Sequence, residues 1–273
     1  MITQIEPYNE QYTKSLLKQL FLKNEISFNE IYNLLGKDRK NQVNQYISID
    51  IKNDMIPFTP AMLKPQETDY AGAIKPYEDL VKNAYQTGKY FHIRFSKERS
   101  TERMIINIKT QKDAVNIMRY LSIKETEKLY TTSSSTINSM KFYAMIPKSR
   151  SRAFKCDKIV IYYEKTNRNI VYQEVIDAAK AFRIPPTNFL TPISGFYHVA
   201  GTEDNSFLVG IGVEISGTSF TKERSKRIFQ KLTGMTYNKN TADVKYRYIG
   251  TEPDEKVFIE NLYSEVISDC PKF

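Results

Sequence analysis

Tryptophan is absent from the 273-residue chain, and cysteine and histidine occur only twice each. Cys156 and Cys270 cannot supply the disulfide framework of a small secreted domain, and two cysteines with two histidines lack the spacing of a zinc site. A reducing cytoplasm is therefore the expected home, with neither metal nor cofactor implied. The strand-like SFLVGIGVEI carries Gly210 and Gly212, but no third glycine or opening helix follows at the spacing a nucleotide phosphate loop needs. Nowhere is there an apolar run long enough to cross a bilayer, and MITQIEPYNEQ has no basic region leading into an apolar stretch, so a membrane partner is not expected. Type III export signals follow no firm sequence pattern, and export by that route is compatible with this N-terminus.

What is present is ordinary core-forming material with an excess of positive charge. Hydrophobic residues make up 41%, enough to bury a sizeable core, and 40 basic against 31 acidic residues leave a net charge of +9. That sign favours an anionic partner: a phosphopeptide, an acidic leader peptide, nucleic acid or a lipid surface. Nucleic acid is disfavoured, because the basic residues are spread along the chain and no known binding motif is complete.

Residues 1–56 read as helical. Tyr12, Leu16, Leu17, Leu20 and Phe21 fall near helical spacing, Ser27 and Glu30 form a capping box, Gly36 ends the short second helix, and a third is expected from Asp38 toward Ile51. These helices suit either a cap packed on the main domain or a winged-helix-like module. Prolines 57, 60 and 65 mark a linker over 57–75, and residues 76–273 form the main domain, entered by a helix from Pro76 to Gln86. KYFHIRF alternates, putting His92 and Arg94 on one face, and RMIINIK from Arg103 is its expected hairpin partner. Thr110 caps a helix from Gln111 to Leu121, and TTSSSTINS reads as a polar loop. Further on, Asn169 caps a helix to Phe182, Thr221 caps a basic helix carrying Arg224 and Arg227, and a last helix over 254–267 buries Val257, Phe258, Leu262 and Val266. The fold class expected is α+β, a mainly antiparallel sheet flanked by helices with a helical N-terminal cap.

One stretch carries chemistry. Two strand-like runs, Lys141–Ile146 and Lys158–Tyr163, flank a loop holding Lys148, Arg150, Arg152 and Lys155. By composition such a hairpin suits a solvated surface turn first; it also suits a receptor for a doubly charged anion, since arginine presents a planar fork matching phosphate. The order of Lys141, Arg152 eleven residues on and Tyr162 ten further resembles the central block of type III phosphothreonine lyases. The wider stretch from about Tyr90 to Arg227, with RMIINIK, SMKFYAMIP, CDKIVIYYE and SFLVGIGVEI, resembles the HopA-type effector family, relatives of which are stand-alone lyases of lanthipeptide biosynthesis.

The resemblance implies a cofactor-independent phosphoserine/phosphothreonine lyase that eliminates phosphate to leave dehydroalanine or dehydrobutyrine. Lys141 would be the base, Tyr162 its assistant and His92 the acid, with His198 as fallback; Arg94, Arg103, Arg150, Arg152, Arg224 and Arg227 would bind phosphate. The implied partners are a phosphorylated precursor peptide or phosphoprotein, a separate peptide kinase and a cyclase. That family pairs a lysine and a histidine one residue apart on an early strand, whereas here Lys89 and His92 stand three apart, so the acid is the least supported assignment. A secreted effector acting on a host or partner protein, or a non-catalytic peptide-binding protein, is the alternative reading.

Overall fold

The computed structural model describes residues 2, 4–6, 10–36, 90–143, 157–190, 198–201, 207–214, 220–250 and 252–267. The expected third helix, the 57–75 linker, the Pro76–Gln86 helix and the loop bearing Arg150 and Arg152 lie outside them, as do the side chains of His92 and His198.

In chain order the strands are β1 (Gln4–Glu6), β2 (Glu25–Ile26), β3 (Tyr90–Arg94), β4 (Glu102–Ile108), β5 (Ile137–Tyr143), β6 (Ile159–Tyr163), β7 (Phe189–Leu190), β8 (His198–Gly201), β9 (Val209–Val213) and β10 (Tyr246–Arg247). The α-helices among the described residues are α1 (Glu10–Phe21), α2 (Phe28–Gly36), α3 (Gln111–Thr132), α4 (Arg168–Ala181), α5 (Phe220–Thr233) and α6 (Glu255–Ile267). An antiparallel sheet runs β1-β8-β9-β4-β6-β5-β3, with β7 on the end of β4, and β2 and β10 form a separate small ladder. The architecture is α+β, with helices on both faces of the sheet.

The period-two alternation of the central strands divides the molecule into layers. Met104, Ile106, Ile108, Ile159, Ile161 and Tyr163 point into one core with α3 and α4; Ile105 and Val160 point into the other, with α1, α2, α5 and α6. Both central strands are thus buried on both faces, which is why they read as near-continuous apolar runs. The N-terminal helices belong to the second core. Tyr12, Leu16, Leu17 and Leu20 of α1 are buried there together with Phe258, Leu262 and Val266 of α6, while residues 4–6 pair with β8 at the sheet edge.

Local signals locate several ends. Ser27 N–H donates to Glu30 Oε2 at 2.8 Å and Glu30 N–H to Ser27 Oγ at 3.2 Å, a reciprocal capping box. The Thr110 hydroxyl accepts from Asp113 N–H at 3.1 Å, and Gly234 follows α5 at φ +68°, a left-handed position that favours glycine.

Other expectations are corrected. β4 is not the hairpin partner of β3: it pairs with β6, β7 and β9, and β3 pairs with β5, because contacts across the sheet outvote sequence proximity. The helix after Thr110 runs on to Thr132, and β5 begins at Ile137, so the polar loop shrinks to 133–136. Glu125, wholly buried in α3, accepts both Thr136 N–H and Ile137 N–H, which clamps that short turn. Asn167 rather than Asn169 precedes α4, Thr221 lies inside α5, and Val257 is exposed.

Candidate functional site

The face of the sheet toward α1, α2, α5 and α6 is polar at one end. Pairing aligns Gly212, Arg103, Tyr162, Ser139 and Arg94 in one cross-strand row, and Gly210, Ile105, Val160, Lys141 and His92 in the next. Lys141 is therefore on the strand beside Tyr162, one row away, and residue 92 is its direct cross-strand partner. A bulge between Ile137 and Ser139 sets this phase of β5, with Met140 in the opposite core and Lys141 on this side.

Two cationic side chains gather around Tyr162. Lys141 Nζ lies 5.6 Å from the ring centroid and the Arg103 guanidinium carbon 5.3 Å from it, so two cations share one half-buried ring. Arg103 is itself buried, and Nη2 pairs with Glu214 Oε2. Burial pushes the Glu214 carboxyl above the usual carboxylate range, against the opposing pull of Arg103 and, more weakly, Lys141. Lys141, Arg103, Tyr162 and Glu214 therefore form one electrostatic unit.

Sequence reasoning missed Glu214. Gly212 faces Arg103 across the ladder, so β9 carries no side chain there, and the residue two further along reaches the guanidinium diagonally. The signal was a glutamate closing an apolar run whose alternate positions are glycine; the glycines shape room for an ion pair instead of a phosphate loop.

The remaining nominated arginines divide. Arg94 is exposed, while its neighbours Ile93 and Phe95 are buried in the α3–α4 core, which puts Arg94 on the Lys141 face and diagonal to that lysine. Arg103 is 5% exposed, a cation fixed in place rather than offered to solvent. Arg224 is 1% exposed in the helical layer, and Arg227 donates to the Glu265 carbonyl at 3.3 Å, tying α5 to α6. Arg150 and Arg152 lie outside the described residues. At the far end of the same face Lys158, buried, donates to Asn107 Oδ1 at 2.9 Å.

The accessible part of the cluster is thus half-buried Lys141 and Tyr162 with exposed Arg94, backed by a buried Arg103–Glu214 pair. Such an arrangement can receive an anion against two cations and offer a lysine amine to it. No helix among the described residues is long and apolar enough to cross a membrane. No protein-family model and no curated protein matches the sequence. The fold is similar to that of the effector protein from Pseudomonas syringae pv. syringae strain 61, at TM-score 0.51 and 11% identity over 96% of this chain and 94% of that one, so what the two share is the α+β fold.

Proposed function

We propose that the chain is a phosphoserine/phosphothreonine lyase whose base is Lys141. The observation that carries this reading is the convergence of Lys141 and Arg103 on the Tyr162 ring, with Arg94 diagonal to Lys141 on the same face. A phosphomonoester dianion settles between Arg94 and Lys141, and Arg103, held by Glu214, fixes Tyr162 and keeps the local field positive. The amine of Lys141, in its unprotonated form, takes the Cα proton; the electron pair forms the Cα–Cβ double bond as the Cβ–O bond breaks, and phosphate departs. His92, across the ladder from Lys141, is the assigned donor to the leaving oxygen.

The substrate in this reading is a ribosomally made precursor peptide, phosphorylated by a separate kinase and passed on to a cyclase. The fold shared with a bacterial effector supports a second reading, in which the same elimination acts on an intact phosphoprotein of a host or partner.

Mass spectrometry of a mixed phosphoserine and phosphothreonine peptide library incubated with the full chain tests the chemistry. Elimination removes phosphoric acid and leaves a dehydro residue; hydrolysis restores the hydroxyl. Lys141→Ala should lower the elimination rate by about 10²–10⁴-fold, the usual contribution of a positioned base. Hydrolysed products, or elimination untouched by Lys141→Ala, would overturn the assignment.

A further inference from the structure

A second feature lies apart from the Lys141 cluster and shares no residue with it. Where the end of α1, the β2–β10 ladder and the start of α6 meet, a cavity of about 790 Å³ opens, and a smaller hollow of about 370 Å³ continues it, the two sharing Gly250, Glu252 and Phe258. Together they make one open groove of two adjoining hollows, which a segment of polypeptide can occupy in turn.

Its floor is aromatic. Phe258 meets Phe21 edge-on at 5.3 Å and stacks with Tyr248 at 6.3 Å, and the Tyr248 hydroxyl is held by donating to the Leu20 carbonyl. The two ends differ in charge. Strand alternation turns Tyr246 toward Phe229 in the core, and Lys245 and Arg247, two apart, turn outward into the larger cavity beside Lys23. Lys23 is answered by Glu30 and Lys245 by Glu25 at 3.6 Å; among the described residues Arg247 makes no ion pair. The smaller hollow sets apolar Leu232, Ile249, Phe258 and Leu262, with Ile249 70% exposed, among Lys231, Glu252 and Asn261.

We infer that this groove binds an extended peptide segment whose acidic residues lie against Lys23, Lys245 and Arg247 and whose following apolar residues enter the hollow at Ile249 and Phe258. Glu25 and Glu252 in the walls disfavour a nucleic acid, whose evenly spaced phosphates would meet both carboxylates, whereas a polypeptide can set its few acidic residues against Lys23, Lys245 and Arg247, which outnumber those carboxylates. Gly250 stands where the two hollows join; a Cβ there meets no atom within 4 Å, and its backbone is outside the left-handed region, so a large side chain can be added without strain and would block the passage.

The test uses the full chain and a fluorescein-labelled, unphosphorylated peptide of sequence Glu-Asp-Glu-Ser-Leu-Phe-Leu, read by fluorescence polarisation. Saturable binding is expected, weakened by salt because the cationic end is exposed. Arg247→Glu with Lys245→Glu should weaken it by more than about tenfold, and Gly250→Trp should do the same without touching a charge. All three positions are exposed, so circular dichroism should be unchanged. Absence of saturable binding, equal binding of a Lys-Arg-Lys-Ser-Leu-Phe-Leu peptide, displacement by a single-stranded oligonucleotide, or indifference to both variants would each overturn the inference. No turnover is read, so failure of the lyase assignment would leave this result standing.

Discussion

Removing the carboxylate of Glu214 should cost more than removing the whole ion pair. The Arg103 and Glu214 side chains are 6% and 13% exposed, so Glu214→Ala strands a guanidinium in a layer that water barely reaches. Breaking a buried pair at one partner typically costs about 3–5 kcal/mol. Arg103 keeps its contact with the Tyr162 ring, worth about 0.5–2 kcal/mol, which places the expected loss near 3 kcal/mol and the fall in Tm at roughly 6–12 °C. Glu214→Gln keeps the shape and a hydrogen-bond acceptor and should cost about 1–2 kcal/mol. Arg103→Met with Glu214→Leu removes both charges and should cost only about 1 kcal/mol, since apolar replacement of a buried pair is often close to neutral. The raised carboxyl pKa of Glu214 points the same way, because burial there outweighs the attraction of Arg103. With the folded pKa above the unfolded one, the group favours the fold below the ordinary carboxylate range, and that contribution is lost as pH rises through the raised value. Urea unfolding of wild type, these three variants and the singles Arg103→Met and Glu214→Leu, followed by circular dichroism, measures the cycle. If Glu214→Ala costs under about 1 kcal/mol, or if the double variant costs as much as the two singles summed, the pair does not hold Arg103 and the account of the cluster is wrong.

Local chemistry was legible in the sequence; partners across the sheet were not. The Ser27–Glu30 box, the Thr110 cap and the Gly234 terminus are short-range devices, each legible from residues within four positions, and each is present. The alternation in IRF and IVIYY likewise separated Ile93 from Arg94 and Val160 with Tyr162 from Ile161 with Tyr163. Pairing order is a long-range property. RMIINIK is apolar on both faces because it sits at the centre of the sheet between β6 and β9, a position no local pattern encodes, so the neighbouring KYFHIRF looked like its partner. Lys141 and Tyr162 could be nominated because one hairpin carries both. Glu214 could not, because it reaches Arg103 from 111 residues further along the chain, after a crossover only the fold specifies. Length misled at α3, where the weak apolar period after Leu121 hid a further eleven helical residues whose buried Glu125 serves the next strand instead of the core.

Two further perturbations test the frame around the site. Ser27→Ala removes the acceptor for Glu30 N–H and should cost about 1 kcal/mol in urea unfolding, with Glu30→Ala costing no more than that in the Ser27→Ala background, because the two bonds of the box support each other. Tyr172 addresses the opposite core: wholly buried on α4, its hydroxyl donates to the Phe207 carbonyl at 2.9 Å, and burial pushes its pKa from 10.0 up to about 12. A raised phenol pKa means the folded chain holds the proton more tightly than the unfolded one, so the contribution is complete below pH 10 and declines as pH climbs toward 12, by about 2–3 kcal/mol in all. Tyr172→Phe, which cannot ionise, should lose about 1 kcal/mol at neutral pH and then fall less steeply than wild type above pH 10, so that the two stability curves converge and cross on the alkaline side. Parallel curves over that range would mean that Tyr172 ionises as readily in the fold as in solvent, which a phenol enclosed between α4 and the sheet cannot do.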